Sequence, residues 1–375
     1  MLELDEFRTQ LDAWLDEHGP DLTAGSDETS LDEHLAQVSR VKRATYDAGW
    51  MRYGWPERVS GLGGSPLLRA YLGEALTGRD LVEPGVYSMT EVLAPTMIDY
   101  ARPELAAQMV PRLLRGEETW CQGFSEPGTG SNLASLACRA VPTDDGWRVS
   151  GQKVWTSFAQ YAQRCVLLTR TGTPESAHRG ITAFFLDMDS PGIVVRPIET
   201  MHGLEEFSEV FFDDVLVPDD RRLGEPGQGW AVAMDLLPYE RSTSLWHRGA
   251  FLQQRLQTAL QDPDAGFDAV ALGEAVQLLT AFRARSRATQ HRLDRGERLG
   301  AETSIDKVLV ATSEQVVFDL IAAALAPALV TGDDAQADRW RSEYLYSRAA
   351  TIYGGTAEIQ RNIIARRLLD LGADA

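Results

Sequence analysis

Apolar and polar positions follow two different periods along the chain, and the period changes twice. From Leu2 to about residue 115, apolar residues recur every three to four positions, which is the spacing of one helix face. This spacing links Phe7, Leu11 and Leu15, and then Leu31, Leu35 and Val38. The first third of the chain is therefore predicted to be helical.

Prolines divide this helical region. We predict that each stands at a helix start or break, because proline lacks the N–H group that a helix interior uses. The prolines concerned are Pro20, Pro56, Pro84, Pro95, Pro103 and Pro111. Ser65 and Pro66 follow a glycine-rich loop and predict the N-cap and the first residue of a helix.

Between Thr119 and about Val217 the period falls towards two, which is typical of strands. Residues 141–149 predict a hairpin around Asp144-Asp145-Gly146, because an Asp-Gly pair suits a tight turn. Further short runs rich in β-branched and aromatic residues begin at Cys165, Ile181, Ile193 and Glu209. Short strands without helices between them indicate a compact antiparallel sheet or barrel.

The helical period returns at Gly229 and predicts a bundle of four amphipathic helices. Their apolar positions are Leu245, Leu252, Leu256 and Leu260; Leu272, Val276, Leu279 and Phe282; Ile305, Leu309, Thr312, Val316 and Leu320; and Ile359 with Ile363. The predicted fold class is mainly α with a central β domain. We place an N-terminal helical domain at residues 1–117, a middle β-barrel domain at 118–224 and a C-terminal four-helix bundle at 225–375.

Composition narrows the classes of function. The chain has 36 Lys and Arg against 55 Asp and Glu, a net charge of −19, so nucleic acid is not an expected partner. No apolar run reaches the roughly 18 residues that span a bilayer, and the first residues do not form a signal peptide. The three cysteines, Cys121, Cys138 and Cys165, lie in apolar settings without metal-ligand spacing, which argues against a zinc site. We expect a cytoplasmic protein with reduced thiols and no membrane span.

Common nucleotide, zinc-protease and hydrolase motifs are absent from the sequence, and three loops rich in small and polar residues remain. They are residues 124–132, 151–157 and 353–360. Glycines let a backbone approach a flat or anionic ligand, and Thr356 is a candidate N-cap at a helix start that favours a phosphate or an oxyanion. The alternative for residues 124–132 is a plain connection between two domains.

Taken in order, these loops resemble the acyl-CoA dehydrogenase family of flavoproteins. The matching stretches are residues 103–115, 119–132, 151–157, 209–217 with 224–230, and 352–361. The resemblance covers nearly the whole chain. It implies the three-domain architecture of that family and the cofactor FAD.

The resemblance also implies roles for individual residues around FAD and the acyl-CoA substrate. Residues matching positions at the flavin pyrimidine edge are Gln122, Phe124 and Ser125. Trp155 would flank the isoalloxazine, Thr156 and Ser157 would bond near N5, and Thr356 and Glu358 would approach the ribityl–phosphate part. Positions that contact the thioester or its pantetheine are matched by Ser131, Arg241 and Tyr353.

The family reaction needs a carboxylate that removes the α-proton, donors for the enolate oxygen and a flavin N5 that accepts the β-hydride. Many members carry the carboxylate directly before Gly-Thr in the C-terminal motif, where this chain has Gly354. A minority, including enzymes acting on branched or long chains, carry it before an arginine after the β domain, where this chain has Glu240-Arg241. The resemblance therefore implies Glu240 as base, Gly354 N–H as an oxyanion donor and a bulky or branched acyl group. The alternative is a surface carboxylate that pairs with a nearby arginine.

Two departures from the family pattern concern the subunit interface. Residues 261–268 lack the arginine that grips the FAD pyrophosphate of a neighbouring subunit, and residues 326–334 replace the glycine-rich segment that supports its adenine end. In both respects the chain resembles subunits of heteromeric bacterial enzymes, in which unlike chains share one FAD site. We expect a homo- or hetero-oligomer (dimer or tetramer) with another acyl-CoA dehydrogenase-like subunit, and electron-transfer flavoprotein as the electron acceptor.

Residues 283–298 carry several arginines, and Arg283, Arg287, His291 and Arg295 share one helix face. This face is either a site for CoA or FAD phosphates or a solvated or subunit-facing surface.

Two other functions compete with the dehydrogenase. One is a non-catalytic partner subunit of a heteromeric enzyme, and the other is a flavin monooxygenase or oxidase on the same fold.

Overall fold

A computed structural model describes residues 2–23, 30–241 and 243–372. Its N-terminal part contains the helices α1 (Leu4–Leu22), α2 (Leu31–Asp47), α3 (Pro66–Gly78), α4 (Pro84–Tyr100) and α5 (Pro103–Leu114). The predicted faces of α1 and α2 are confirmed, because Phe7, Leu11 and Leu15 are buried, as are Leu31, Leu35 and Val38. The predicted cap of α3 is also confirmed: the Ser65 side chain accepts a hydrogen bond from the Leu67 N–H.

The prolines are only partly where we predicted them. Pro84 and Pro103 are the first residues of α4 and α5. The prediction that every proline marks a helix start or break is wrong for Pro20, Pro95 and Pro111, which lie inside α1, α4 and α5. Proline removes one backbone hydrogen bond from a helix, and burial of the surrounding apolar face compensates for that loss.

The central part is an eight-stranded sheet. Its strands are β1 (Trp120–Gly123), β2 (Arg139–Thr143), β3 (Gly146–Ser157), β4 (Arg164–Arg170), β5 (Ile181–Asp187), β6 (Ile193–Ile198), β7 (Phe207–Val217) and β8 (Arg222–Leu223). The hairpin predicted around Asp144-Asp145-Gly146 is confirmed as β2 and β3. Most neighbouring strands pair antiparallel, as predicted. The exceptions are β1, which pairs with β4 in parallel, and a single parallel residue pair between β2 and β4. Short strands do not reveal their direction of pairing, because local periodicity is the same in both cases.

Strand β3 is irregular where it ends beside β7. The pairing of the two strands shifts register between Lys153 and Thr156. Trp155 and Phe158 adopt left-handed φ values of 58° and 59°. A left-handed conformation is unfavourable for a bulky residue, and such outliers cluster at functional sites. The Phe158 N–H donates to the Glu206 carbonyl at 2.7 Å, which ties the end of β3 to the loop before β7.

The C-terminal part is helical, as predicted. Its helices are α6 (Gly229–Glu240), α7 (Thr243–Leu260), α8 (Ala269–Asp294), α9 (Thr303–Ala324), α10 (Ala326–Thr331), α11 (Ala335–Ser347) and α12 (Ala357–Arg367). The four predicted helices correspond to α7, α8, α9 and α12. The sequence pattern missed α11, because its described buried residues are only Ala337, Trp340 and Ser347.

One large core joins the N-terminal helices to a face of the sheet and to α6, through residues such as Trp120, Phe185 and Leu236. The bundle has a separate core around Leu252, Phe282 and Phe318. The division into domains at 117 and 224 stays a prediction. Among the described residues, no helix is long and apolar enough to cross a membrane.

Candidate functional site

The side chain of Glu240 lies where three separate parts of the chain meet. Glu240 is the last residue of α6, and its Oε2 accepts a hydrogen bond from Gln122 Nε2 of β1 at 3.1 Å. A Cβ atom built on Gly354 would stand 3.0 Å from Glu240 Oε1. The carboxylate therefore occupies the space directly in front of the loop that precedes α12.

The loop before α12 has a backbone conformation that favours glycine, and two side chains, Arg241 and Gln360, donate hydrogen bonds to it. Gly354 and Gly355 have φ values of 62° and 91°, in the left-handed region that glycine adopts without steric cost. The Gly354 carbonyl accepts hydrogen bonds from Arg241 Nε at 3.0 Å and from Gln360 Nε2 at 3.1 Å. Burial lowers the pKa of the Arg241 guanidinium, and the neighbouring Glu240 opposes that shift.

Lys307 of α9 is a buried cation in the same neighbourhood, and the sequence analysis did not identify it. Its Nζ donates to the Ala350 carbonyl at 2.6 Å and lies 4.1 Å from the ring centroid of Tyr353. Burial lowers the pKa of Lys307 to about 8, while the carboxylates of Glu314 and Glu240 act in the opposite direction. The only signal in the sequence was a lysine on the apolar face of a helix, three residues before Val310.

A buried ion pair fixes the loop at residues 124–132. Lys153, which has no exposed surface, contacts Glu126 Oε1 at 2.8 Å and the Phe124 carbonyl at 3.1 Å. The Glu126 carboxylate also accepts from the N–H groups of Ala137 and Cys138. The loop that follows β1 is therefore anchored to β3 through this ion pair.

The loop and the end of β3 carry an exposed indole and polar side chains with unpaired oxygens. The Trp155 side chain is 58% exposed and meets Phe207 edge-on at 6.1 Å. Within the described part of the chain, the buried oxygens Oγ1 of Thr129, Oγ1 of Thr156 and Oε1 of Gln122 have no hydrogen-bond partner. Buried polar atoms without partners are rare in proteins, so these three point to a ligand.

Comparison with known proteins decides the family. A model of the acyl-CoA dehydrogenase middle domain matches residues 121–215, and a model of the C-terminal domain of the same family matches residues 227–369. The chain belongs to the acyl-CoA dehydrogenase family. The members of this family are FAD-dependent oxidoreductases, so this chain is identified as an enzyme of that class.

Individual relatives agree with this assignment. The chain is 34% identical to acyl-CoA dehydrogenase IpdE1 from Mycobacterium tuberculosis, over 100% of each chain. It resembles the crystal structure of the ChsE4-ChsE5 complex from the same organism with 25% identity and a TM-score of 0.77, over 99% of this chain and 98% of that one. The fold of the Tcur3481-Tcur3483 steroid ACAD is also similar, with 24% identity and a TM-score of 0.83 over 99% and 98% of the two chains.

The unpaired oxygens and the exposed indole fit the FAD of an acyl-CoA dehydrogenase. Gln122 Oε1, Thr129 Oγ1 and Thr156 Oγ1 have no hydrogen-bond partner within the described ranges. The polar edge of a flavin ring carries both donors and acceptors that could bond to them. The exposed face of Trp155 offers an aromatic surface against which a flat ring packs. Cβ atoms built on Gly128 and Gly130 would meet no atom within 4 Å, so the space in front of the loop is open.

The roles of the other residues that the resemblance assigned stay predictions. Phe124 is buried, Ser125 is half-buried and accepts from the Val154 N–H through its carbonyl, and Ser131 is exposed on the loop. Ser157 is the half-buried last residue of β3. The Thr356 hydroxyl caps α12 by accepting from the Ile359 N–H, as predicted, and Glu358 is exposed in the first turn of that helix.

The arginine-rich face of α8 is largely paired with carboxylates of the chain itself. Arg283 and Arg287 both contact Glu74 of α3. Arg292 and Arg295 both contact Glu297. Two carboxylates, each shared by two arginines, reduce the positive charge that a phosphate would need, which favours the alternative of a structural surface.

Proposed function

We propose that this acyl-CoA dehydrogenase desaturates an acyl-CoA thioester between Cα and Cβ and that Glu240 is its catalytic base. The supporting observation is the 3.0 Å distance from Glu240 Oε1 to the position of a Cβ on Gly354. A glutamate at position 354 and a glutamate at position 240 would therefore compete for the same space. This chain has one carboxylate there, and it comes from α6.

The surrounding residues suit proton removal next to a thioester. Glu240 takes the proton from Cα, and Gln122 orients the carboxylate through its 3.1 Å hydrogen bond. The Gly354 N–H is the proposed donor to the thioester oxygen, on which negative charge develops. Arg241 and Gln360 hold the carbonyl of the same residue and so limit rotation of this loop. FAD, when bound, supplies the acceptor for the hydride that leaves Cβ, and we expect electron-transfer flavoprotein to reoxidise it.

Substitution of Glu240 tests this assignment. We expect Glu240→Gln to lower kcat about 10²–10⁴-fold, because it removes the base and keeps the size of the side chain. Turnover is measured with an artificial electron acceptor, and bound FAD is measured by absorbance to show that the cofactor is retained. Undiminished turnover with FAD present would favour an oxidase or monooxygenase that needs no α-base.

A relocated base provides the matched control. In the double variant Glu240→Gly with Gly354→Glu, the new carboxylate starts from a Cβ next to the space that Glu240 vacates. We expect it to recover part of the activity that Glu240→Gly alone loses. Recovery is limited by about 1 kcal/mol of strain, because φ at position 354 is 62°.

A bulky or branched acyl group is the proposed substrate class. Gly354 adds no side chain of its own to the site, where Glu240 Oε1 and Lys307 Cε already fill the place of a Cβ, so the proposed room for a large acyl group lies away from this residue. The solved relatives include a structure described as a steroid ACAD. Screening straight, branched and polycyclic acyl-CoA thioesters at equal concentration measures this preference. A strict preference for short straight chains would contradict it.

We also propose that this chain is the catalytic subunit of a heteromeric enzyme. The two stretches without FAD-binding groups for a neighbour, residues 261–268 and 326–334, lie together, since the Gly266 N–H donates to the Ala324 carbonyl at 3.0 Å. Exposed apolar side chains surround them, namely Leu260, Val270 and Val330. Two of the solved relatives are described as two-component proteins, ChsE4-ChsE5 and Tcur3481-Tcur3483.

Purification of this chain alone tests that proposal. We expect low FAD occupancy that rises when a second acyl-CoA dehydrogenase-like subunit is co-expressed. Full FAD occupancy in a homo-oligomer would refute the heteromeric arrangement. FAD binding without turnover, even with Glu240 intact and a partner present, would instead favour a non-catalytic subunit.

A further inference from the structure

A cavity of about 1050 Å³ lies beside the candidate active site. Its walls come from α2, residues 80–84, the loop at 201–206, α7 and α11. Ligand pockets for small molecules usually measure roughly 300–1,000 Å³, so this space suits a group with several rings. Tyr346 lines the cavity and stands with its ring centroid 6.2 Å from that of Tyr353. Tyr353 directly precedes Gly354, so this pair of rings makes the cavity and the candidate site neighbours.

The arginine side chains in the cavity wall are already paired with carboxylates. Arg248 makes two hydrogen bonds to Glu314, at 3.0 and 2.6 Å. Arg255 contacts Glu343 at 2.7 Å and Asp80 at 3.1 Å. A wall with internally neutralised arginines does not call for an anionic ligand.

The loop at 201–206 and α11 contribute a different set of polar groups, which we call the polar wall: His202, Glu206 and Tyr346. Glu206 is only 9% exposed, and its Oε1 is 3.5 Å from the Tyr346 hydroxyl. Both ring nitrogens of His202 are buried without a hydrogen-bond partner among the described residues. The His202 ring meets the Tyr346 ring edge-on at 5.3 Å.

The polar wall is uncharged at neutral pH. Burial raises the pKa of the Glu206 carboxyl to about 8, so most of it is protonated. Burial also lowers the pKa of His202, so its imidazole is neutral. A protonated carboxyl, a neutral imidazole and a phenol each offer one donor and at least one acceptor. Such a set fits a neutral hydroxyl or ketone better than a charged group or a hydrocarbon.

We propose that the cavity receives the far part of the acyl group and that the polar wall forms hydrogen bonds to an uncharged oxygen, a ring hydroxyl or ketone, on that part. This inference rests on the proposed function and narrows its substrate class to ring-bearing acyl groups that carry oxygen far from the thioester. A site built to bond such an oxygen discriminates strongly against the analogue that lacks it, because its buried polar groups are then left unpaired.

A matched pair of ligands tests the proposal. The pair is a bicyclic 2-enoyl-CoA with a ring hydroxyl far from the thioester and its deoxy analogue. Their Kd values are measured by calorimetry on the FAD-loaded protein, together with its partner subunit if FAD occupancy requires one. We expect the hydroxylated compound to bind at least tenfold more tightly. Equal Kd values for the two compounds in the unmodified protein would overturn the proposal without any variant.

Two variants locate the effect on the polar wall. His202→Phe keeps the ring that packs on Tyr346 and removes both nitrogens, and Tyr346→Phe removes one hydroxyl. We expect each to reduce the hydroxyl-to-deoxy preference by a factor of three or more. His18→Phe is the matched control, because His18 stacks on Trp14 of α1, outside the cavity lining. A preference unchanged in both polar-wall variants would overturn the assignment of these residues.

The test separates this inference from the proposed function. Binding of enoyl-CoA needs no turnover, whereas desaturation is measured with saturated thioesters and Glu240→Gln. If the two enoyl-CoA compounds bind with equal Kd while their saturated counterparts are desaturated, the polar-wall inference fails and the proposed function stands. If neither saturated thioester is desaturated while the binding preference is observed, the proposed function fails and the assignment of the polar wall stands.

Discussion

At the scale of single residues, the site depends on a buried lysine as well as on its carboxylate. Lys307 is 3% exposed and holds the Ala350 carbonyl, four residues before Gly354. Its ammonium group also lies against the Tyr353 ring, an arrangement that stabilises a buried cation. Lys307 is therefore a positioning residue for the loop that faces Glu240.

Replacement of Lys307 by methionine is expected to lower turnover more than the same replacement of Lys42, a buried lysine outside the site. Lys307→Met leaves the Ala350 carbonyl without its donor, which costs about 1–3 kcal/mol and loosens the loop. We expect kcat to fall at least tenfold, as measured with an artificial electron acceptor. Lys42 is also buried, at 5% exposure, but belongs to α2 and interacts with Glu91. Lys42→Met should lower the Tm and leave kcat within twofold, and an equal loss of kcat in both variants would contradict the assignment.

Residue roles were only partly accessible from the sequence. The meeting of Glu240, Arg241 and Gly354 followed from the family resemblance, because more than a hundred residues separate the arginine from the carbonyl that it holds. Gln122 was assigned to the flavin edge, and its amide donates to Glu240. Lys307 was missed because a lysine in a helix is normally solvated, and only tertiary packing shows which one is buried.

At the scale of elements, the glycine-rich loop after β1 is made rigid by a neighbouring strand. Lys153 points into the sheet from β3, and its ion pair with Glu126 lies fully inside the protein. Two backbone N–H groups, of Ala137 and Cys138, also donate hydrogen bonds to the Glu126 carboxylate. The glycines predicted this loop as a ligand site, whereas the partner of Lys153 is 27 residues away in sequence and could not be predicted from local pattern.

Breaking this ion pair is expected to be costly. Lys153→Met leaves the buried Glu126 carboxylate without its counter-charge, and such a change costs roughly 3–5 kcal/mol. We expect a lower Tm and lower FAD occupancy, measured by thermal unfolding and absorbance. The double variant Lys153→Met with Glu126→Gln removes the stranded charge and should recover part of the loss. A double variant less stable than Lys153→Met alone would contradict this account.

At the scale of the whole molecule, the order of a helical part, a sheet and a second helical part could be predicted from the change of period along the chain. The parallel pairing of β1 with β4 and the prolines inside helices could not, because both depend on long-range contacts. The net charge of −19 also proved uninformative about local sites. The arginines of the cavity and of α8 contact neighbouring carboxylates, and Arg283 and Arg287 share one of them, Glu74.

The buried Glu206 carboxyl links the stability of the whole molecule to pH. Its pKa is about 8 in the fold against 4.5 in the unfolded chain, because of burial and the nearby Glu83, with Arg248 acting in the opposite direction. The folded protein therefore keeps a proton between these values that the unfolded chain releases. This contribution is fully present below about pH 4.5 and is lost as the pH rises through 8. Tyr346 and His202 also face this group.

Thermal unfolding across this range measures the effect. The Tm of the unmodified protein relative to Glu206→Gln should fall on the order of 5 °C between pH 5 and 8 and change little above pH 9. Glu83→Gln should move the fall to lower pH, because Glu83 raises the pKa of Glu206. A Tm difference independent of pH would show that Glu206 is ionised throughout.

The hydrogen bond from the Phe158 N–H to the Glu206 carbonyl joins the proposed flavin surface to the proposed acyl cavity. Residues 155–157, just before Phe158, face the proposed flavin surface, and Glu206 belongs to the wall of the substrate cavity. Ser208 and the Glu205 carbonyl reinforce the connection through the side chain of Gln160. If FAD and the acyl group bind at these two surfaces as proposed, any coupling through this connection is reciprocal: whatever factor FAD adds to the affinity for the acyl group, the acyl group must add to the affinity for FAD. An enzyme that holds its flavin weakly alone would then retain it best while it is occupied with its own substrate.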